Sequence, residues 1–493
     1  MIEVLRKATL HAKRGAILSN RKTHSYHDLI TESMAVATNL LRGQNDLEEQ
    51  PIAFMVSPGF EYVSTLWGIW QAGGIAVPIC LSHPSPAIAH VLKDTACRIA
   101  VASTTYRNKL QPLCESMDIR FIEAPLQSEK NSNGKSLPTI ERTRRAMILY
   151  TSGTTNLPKG VVTTHKNIEA QISTLVNAWK WSPNDRTLCV LPLHHVHGII
   201  NVVSCSLWAG ARCEFLNDFD PSTVLHCFIQ GRINVFMAVP TIYFKLIAAW
   251  ETLPEEQQTR ISNSLRSMRL MVSGSSALPV SVMDKWEKIS GHRLLERYGM
   301  TELGMAIGNP YEGERRAGYV GKPLEGVRVR LCDEKDETVE SEPGEIQVSG
   351  DNVFLEYWKQ PEATQNSFTG DGWFKTGDVG VVEDGYYRIL GRSSIDIIKS
   401  GGYKISALEI EEVLRSHPDV KDCAVVGLED EEWGEVVAAA IVSSRGHLNH
   451  DELRAWLKER LPPYRVPRKF LRVDELPRNA MGKVTKNDVK KLF

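Results

Sequence analysis

Neither sign of charge is in excess in this 493-residue chain: 58 Lys and Arg face 59 Asp and Glu. A protein that neutralises phosphate backbones needs a basic surplus, so nucleic acid is not an expected partner. No uninterrupted apolar run reaches the roughly 20 residues of a membrane-spanning helix. The nine cysteines are scattered, odd in number and without a Cys-x-x-Cys pair, which disfavours a disulfide framework and a zinc site and points to reduced thiols. Internal repeats and low-complexity tracts are also missing. What remains is a globular composition, 42% hydrophobic and 24% charged, in a chain long enough for two or more domains.

The most informative stretch is Tyr150-Thr151-Ser152-Gly153-Thr154-Thr155-Asn156-Leu157-Pro158-Lys159-Gly160. It follows Ala146-Met147-Ile148-Leu149, an apolar run that reads as a buried strand. Hydroxyls and free backbone N–H groups can wrap phosphate oxygens, glycine permits close approach, and a lysine adds a point charge. A Walker A loop is excluded because Lys159 precedes Gly160 instead of following a glycine. An ordinary Ser/Thr/Gly turn is the bland alternative. As a whole, the string resembles the triphosphate loop of the adenylate-forming enzymes, the family of acyl-CoA synthetases, luciferases and peptide-synthetase adenylation domains. That resemblance implies ATP binding by Thr151, Ser152, Gly153, Thr154 and Thr155, with Lys159 among the catalytic residues. Asn156 stands where the family usually has glycine, and asparagine is the next most tolerant residue of positive φ.

Other motifs follow in family order. Buried-strand runs at 52–56, 75–78 and 98–102 alternate with helix-like segments, the pattern of βαβ units around a parallel sheet. Leu191-Pro192 and then His194-His195-Val196-His197 put three histidines within four residues. A metal site would need a fourth ligand that is not nearby. The resemblance instead places His195 at the entrance of an acyl pocket and His197 on its lining. Ser273, Gly274 and Ser275 resemble the family's adenine-side turn, after a strand-like run at 268–272. Tyr298-Gly299-Met300-Thr301-Glu302 matches a second family motif. It implies that Tyr298 stacks on adenine, Thr301 meets the AMP phosphate and Glu302 holds Mg²⁺, roles that suit a flat ring, a hydroxyl and a hard oxygen ligand.

Arg297 bears on the substrate. A buried arginine beside an acyl pocket is costly unless an anion pairs with it. A second substrate carboxylate would do so, and guanidinium geometry suits it. The alternative is that Arg297 turns away to Glu296 or Glu325. The segment 296–311 resembles the malonyl-CoA synthetases within the family, which implies malonate, ATP and CoA as substrates. Alternatives are a CoA ligase for methylmalonate or for a monocarboxylic acid, or an adenylating protein that serves a carrier protein.

Asp378, with Arg392, matches the family's ribose-binding pair, and Asp396 is the expected hinge. Gly401 and Gly402 match the turn that lines the CoA thiol's path. Lys483 corresponds to the lysine that enters the site for adenylation, where it stabilises developing charge. The fold class expected is α/β, with a large N-terminal domain of layered sheets and a β-barrel-like subdomain over 1–395 and a small mobile α+β domain over 396–493. Six basic residues and one acid within the first 22 suggest a mitochondrial presequence. However, Ser25 to Leu29 resemble the family's entry into its first helix, which reads the upstream residues as the domain's own opening helix. A cytosolic location is expected on that basis, with mitochondria as the lesser alternative.

Overall fold

Two large sheets dominate the computed structural model, which describes residues 2–125, 136–151, 158–340, 342–443, 449–479 and 482–493. The first has seven strands in the order 356–357, 159–164, 145–151, 75–78, 51–55, 99–103, 120–124. Its centre is parallel, and its strands there are buried on both faces, as continuous apolar runs such as Ile52-Ala53-Phe54-Met55 require. The second sheet has nine strands, with a parallel core of 295–300, 270–273, 235–238, 186–189, 212–215 and 15–19. Helices pack on these faces. The helix Tyr26–Leu41 starts with a capping box, Ser25 and Asp28 exchanging side-chain and backbone hydrogen bonds. Trp67, Trp70, Trp179 and Trp286 are among the largest fully buried side chains and belong to the main core, which touches both sheets; a second apolar cluster covers the seven-stranded sheet. Each such burial contributes about 1.5–3 kcal/mol.

The barrel-like subdomain is a five-stranded antiparallel sheet ordered 338–339, 328–332, 344–349, 374–383, 386–392. Beyond it, strands 397–400, 403–406, 420–430, 434–443 and 469–473 form a further sheet with helices Ala407–Arg415, His450–Lys458 and Lys486–Lys490 and its own apolar clusters. The layout is the expected α/β architecture with a small α+β unit at the C-terminus. All nine cysteines are free and buried. Among the described residues no helix is long and apolar enough to cross a membrane.

Candidate active site

The parallel strands of the nine-stranded sheet point their carboxyl ends at one cleft, the place where open α/β sheets gather ligands. Strand 186–189 leads to His195 and His197, strand 270–273 to Ser275, and strand 295–300 carries Arg297 and Tyr298. His197 opens a buried π-helical stretch, His197–Ser204. Such wider turns recur at functional sites because they re-aim side chains.

Arg297 is 3% exposed and, among the described residues, has no carboxylate at ion-pair distance. Its Nη2 donates a long, weak 3.4 Å contact to Ser275 Oγ, and its buried Nε has no partner. Glu296 does not pair with it: Glu296 Oε1 accepts the Leu278 N–H at 2.9 Å. Burial pushes the Arg297 guanidinium down to about 9, against the opposing pull of Glu296. The guanidinium lies on Gly274, where a Cβ would stand 2.6 Å from Arg297 Cζ. Ser275, at φ 75°, also meets His197 Nδ1 at 3.0 Å. Burial drives the His195 and His197 pKa values far down, so both imidazoles are neutral near pH 7. His197 is held through Nδ1 by Ser275, whereas the buried Nε2 atoms of both rings have no partner among the described residues.

Lys483 reaches this cleft from the small domain. Its side chain meets water, yet surrounding protein lowers its pKa, and nearby Arg297 and Arg392 lower it further while Asp378 opposes them. Asp378 is tied on both oxygens: Tyr298 OH donates to Oδ2 at 2.6 Å and Arg392 Nε to Oδ1 at 3.1 Å. Lys483, Arg297 and Arg392 therefore stand near one another against Asp378 and the buried Glu302, leaving an excess of positive charge suited to anions.

Glu302 borders the same charges, Arg392 and Asp378. Burial raises its pKa, while a hydrogen bond from Tyr357 OH to Oε1 at 3.0 Å opposes that rise. The Tyr357 ring also lies 4.8 Å below Lys159 Nζ. Tyr357 arrives on the edge strand 356–357, which pairs antiparallel with 159–164. Sequence inspection missed it, because only this pairing brings it beside Lys159 and Glu302. Thr151 sits at the end of its strand opposite Lys159, and Thr301 is half-buried beside Glu302. Ser273 is buried with an unpartnered Oγ. Ser152, Gly153, Thr154 and Thr155, with Asn156, lie outside the described residues.

Two predicted positions lie elsewhere. Gly401 and Gly402 form an exposed positive-φ turn on the small domain, Gly401 against Trp433. Asp396 is clamped outside the cleft: its Oδ2 accepts the Arg392 N–H at 3.0 Å and its Oδ1 meets Lys486 Nζ at 2.6 Å. Lys486 also pairs with buried Glu411 at 2.8 Å, a partner that sequence inspection did not connect to the hinge. Among the described residues no group of three or more His, Cys, Asp or Glu could hold a metal ion.

Residues 4–358 match the AMP-binding enzyme family, and residues 409–483 match the AMP-binding enzyme C-terminal domain. The chain belongs to the AMP-binding enzyme family. By class it is an AMP-forming acyl-CoA synthetase. It is 43% identical to the mitochondrial malonate–CoA ligase ACSF3 of Xenopus laevis, over 99% of this chain and 91% of that one. It is 40% identical to the malonate–CoA ligase of Arabidopsis thaliana, over 100% and 89%. In structure it resembles ATP-bound MatB of Rhodopseudomonas palustris with a TM-score of 0.90 at 30% identity, covering 100% and 99% of the two chains. Against the apo form of that protein the TM-score is 0.80. The cytosolic expectation is corrected here: four vertebrate relatives at 40–43% identity are named as mitochondrial proteins. Basic residues such as Arg6 and Lys7 do lie in a helix, Glu3–Thr9, packed on the domain, but a folded opening helix says nothing about compartment.

Proposed function

We propose that this chain is an ATP-dependent malonate–CoA ligase, converting malonate, ATP and CoA to malonyl-CoA, AMP and pyrophosphate through a malonyl-adenylate. The observation that carries the reading is the buried, ion-unpaired Arg297 on the wall of a cleft that also holds Lys483 and Arg392. A dicarboxylate satisfies it at one end while its other carboxylate lies among the remaining cations. The malonate specificity of the relatives agrees with this placement.

In the first step a malonate carboxylate oxygen bonds to the α-phosphorus and the bond to pyrophosphate breaks. Arg297 holds the distal carboxylate, with Ser275 and neutral His197 fixing its guanidinium, and His195 stands at the acyl entrance. Lys483 stabilises charge on the α-phosphate and the attacking carboxylate. Tyr298 presents its ring to adenine and is held by Asp378, whose remaining lone pairs accept the ribose hydroxyls beside Arg392. Ser273 and Gly274 border adenine, Lys159 and Thr151 to Thr155 hold the triphosphate, and Thr301 meets the α-phosphate. Glu302, oriented by Tyr357, would hold Mg²⁺ through its hard carboxylate oxygen. Mg²⁺ neutralises phosphate charge when bound. In the second step the CoA sulfur bonds to the acyl carbon and AMP leaves, with Gly401 and Gly402 lining the thiol's path. No covalent enzyme intermediate is needed; catalysis is positioning and charge stabilisation. We place the boundary between the large domain, 1–395, and the small mobile domain, 396–493, with the hinge at Asp396.

The test is AMP release with ATP, Mg²⁺ and free CoA across malonate, methylmalonate, succinate, acetate, octanoate and coumarate. Malonate far ahead of the monocarboxylates supports the assignment. A preference for octanoate or coumarate overturns it, and activity only with a carrier protein in place of CoA overturns the acceptor.

A further inference from the structure

We propose that Glu412 is a positioning residue that docks the small domain on the large one so that Lys483 stands over the reaction centre. Glu412 lies on the helix Ala407–Arg415, and its Oε1 accepts the backbone N–H of Val280 in the large domain at 2.9 Å. Val280 is the first residue of the helix Val280–Ser290, which begins after Pro279 with no side-chain cap and no acid in its first turn. The first N–H groups of a helix have no partner within it, and its N-terminus favours negative charge. That requirement is met here from the other domain.

The segment leading to this cap is also a wall of the cleft. Ser275 contacts Arg297 and His197, Leu278 N–H is held by Glu296, and Val280 N–H is held by Glu412, all within six residues. Docking is thus registered against the same turn that orients Arg297, and Lys483 is carried in by the docked domain. Contacts nearer the hinge have a different character. Ser406 Oγ donates to Leu390 O, and Arg388 donates to Glu409, both close in sequence to Asp396. They hold the small domain beside the hinge. The Lys404–Glu334 pair also joins the two domains, but both side chains are more than 60% exposed, where an ion pair is weak. Glu412 is partly buried, 3.9 Å from Arg415, and its contact reaches Val280, 132 residues away in the large domain.

This inference rests on the two-step ligase reading, and its test separates the steps in the full-length protein. Pyrophosphate release from ATP and malonate without CoA reads the first step, and thioester formation from synthetic malonyl-adenylate and CoA reads the second. Glu412→Ala is expected to slow the first step about tenfold, the range of a hydrogen bond to a charged group, with KM for ATP and malonate unchanged and the second step intact within about twofold. Glu412→Gln retains an acceptor for the Val280 N–H and is expected to recover to within about threefold of wild type. An unaltered first step in Glu412→Ala, or equal losses in both steps, overturns the docking role. If wild type adenylates another acid and not malonate, the substrate reading fails and the Glu412 comparison is made on that acid.

Discussion

Replacing Arg297 by methionine removes the guanidinium while keeping most of the side-chain length. Removing one partner of a buried charge pair costs about 3–5 kcal/mol, because the other charge is left unpaired. At about 1.4 kcal/mol per factor of ten, kcat/KM for malonate should fall by roughly 200-fold to several thousand-fold. A monocarboxylic acid has no second carboxylate to lose, so octanoate activity should hold or rise. Stability should respond in the opposite sense to what loss of a structural residue would bring. Without substrate, Arg297 is a buried cation lacking an ion partner, so Arg297→Met should unfold at the same temperature or higher. The assay is steady-state AMP release on malonate and octanoate, paired with thermal unfolding of the ligand-free proteins. Malonate kcat/KM within about tenfold of wild type would refute the carboxylate-anchor reasoning. So would a parallel loss on both acids together with a lower unfolding temperature.

Further expectations follow from the same geometry. Gly274→Ala places a Cβ 2.6 Å from Arg297 Cζ, so the guanidinium must shift; KM for malonate should rise about tenfold or more while KM for ATP changes little, measured by substrate titration. In the role proposed for it Lys483 acts protonated, and its folded pKa lies below that of an ordinary lysine, so first-step activity should fall as pH rises through that lowered value. Lys483→Arg should move the alkaline limb of the pyrophosphate-release profile upward, and an unmoved limb would assign it to another group. Tyr357→Phe removes the hydroxyl held by Glu302 but keeps the ring under Lys159. It should raise the Mg²⁺ concentration for half-maximal activity by about three- to tenfold, read by Mg²⁺ titration at saturating ATP.

Much of the fold was legible because it rests on local rules. The continuous apolar runs at 52–56, 75–78 and 98–102 became the buried parallel strands 51–55, 75–78 and 99–103. Tyr298, Glu302, Asp378, Arg392 and Lys483 were singled out by resemblance to the family's motifs, and the structure brings Tyr298, Asp378 and Arg392 into direct contact. The compartment was misread because a helix that packs on its domain and a targeting sequence can share basic residues, and composition does not separate them.

What the sequence determined by itself was the kind of chemistry on offer: strand-end turns rich in hydroxyls, a flat ring, carboxylates as hard oxygen ligands and a late lysine. Tertiary structure alone decided which groups meet. Arg297 could have turned to Glu296; it does not, because neighbours on strand 295–300 project to opposite faces and the guanidinium settles on Gly274 beside Ser275. Tyr357 reaches Glu302 only through pairing of an edge strand 55 residues away. Lys483 meets Arg297 and Asp378 only because the small domain docks as it does. Such contacts depend on the register of distant elements and on the burial of charge, quantities set by packing the whole chain and carried by no local pattern.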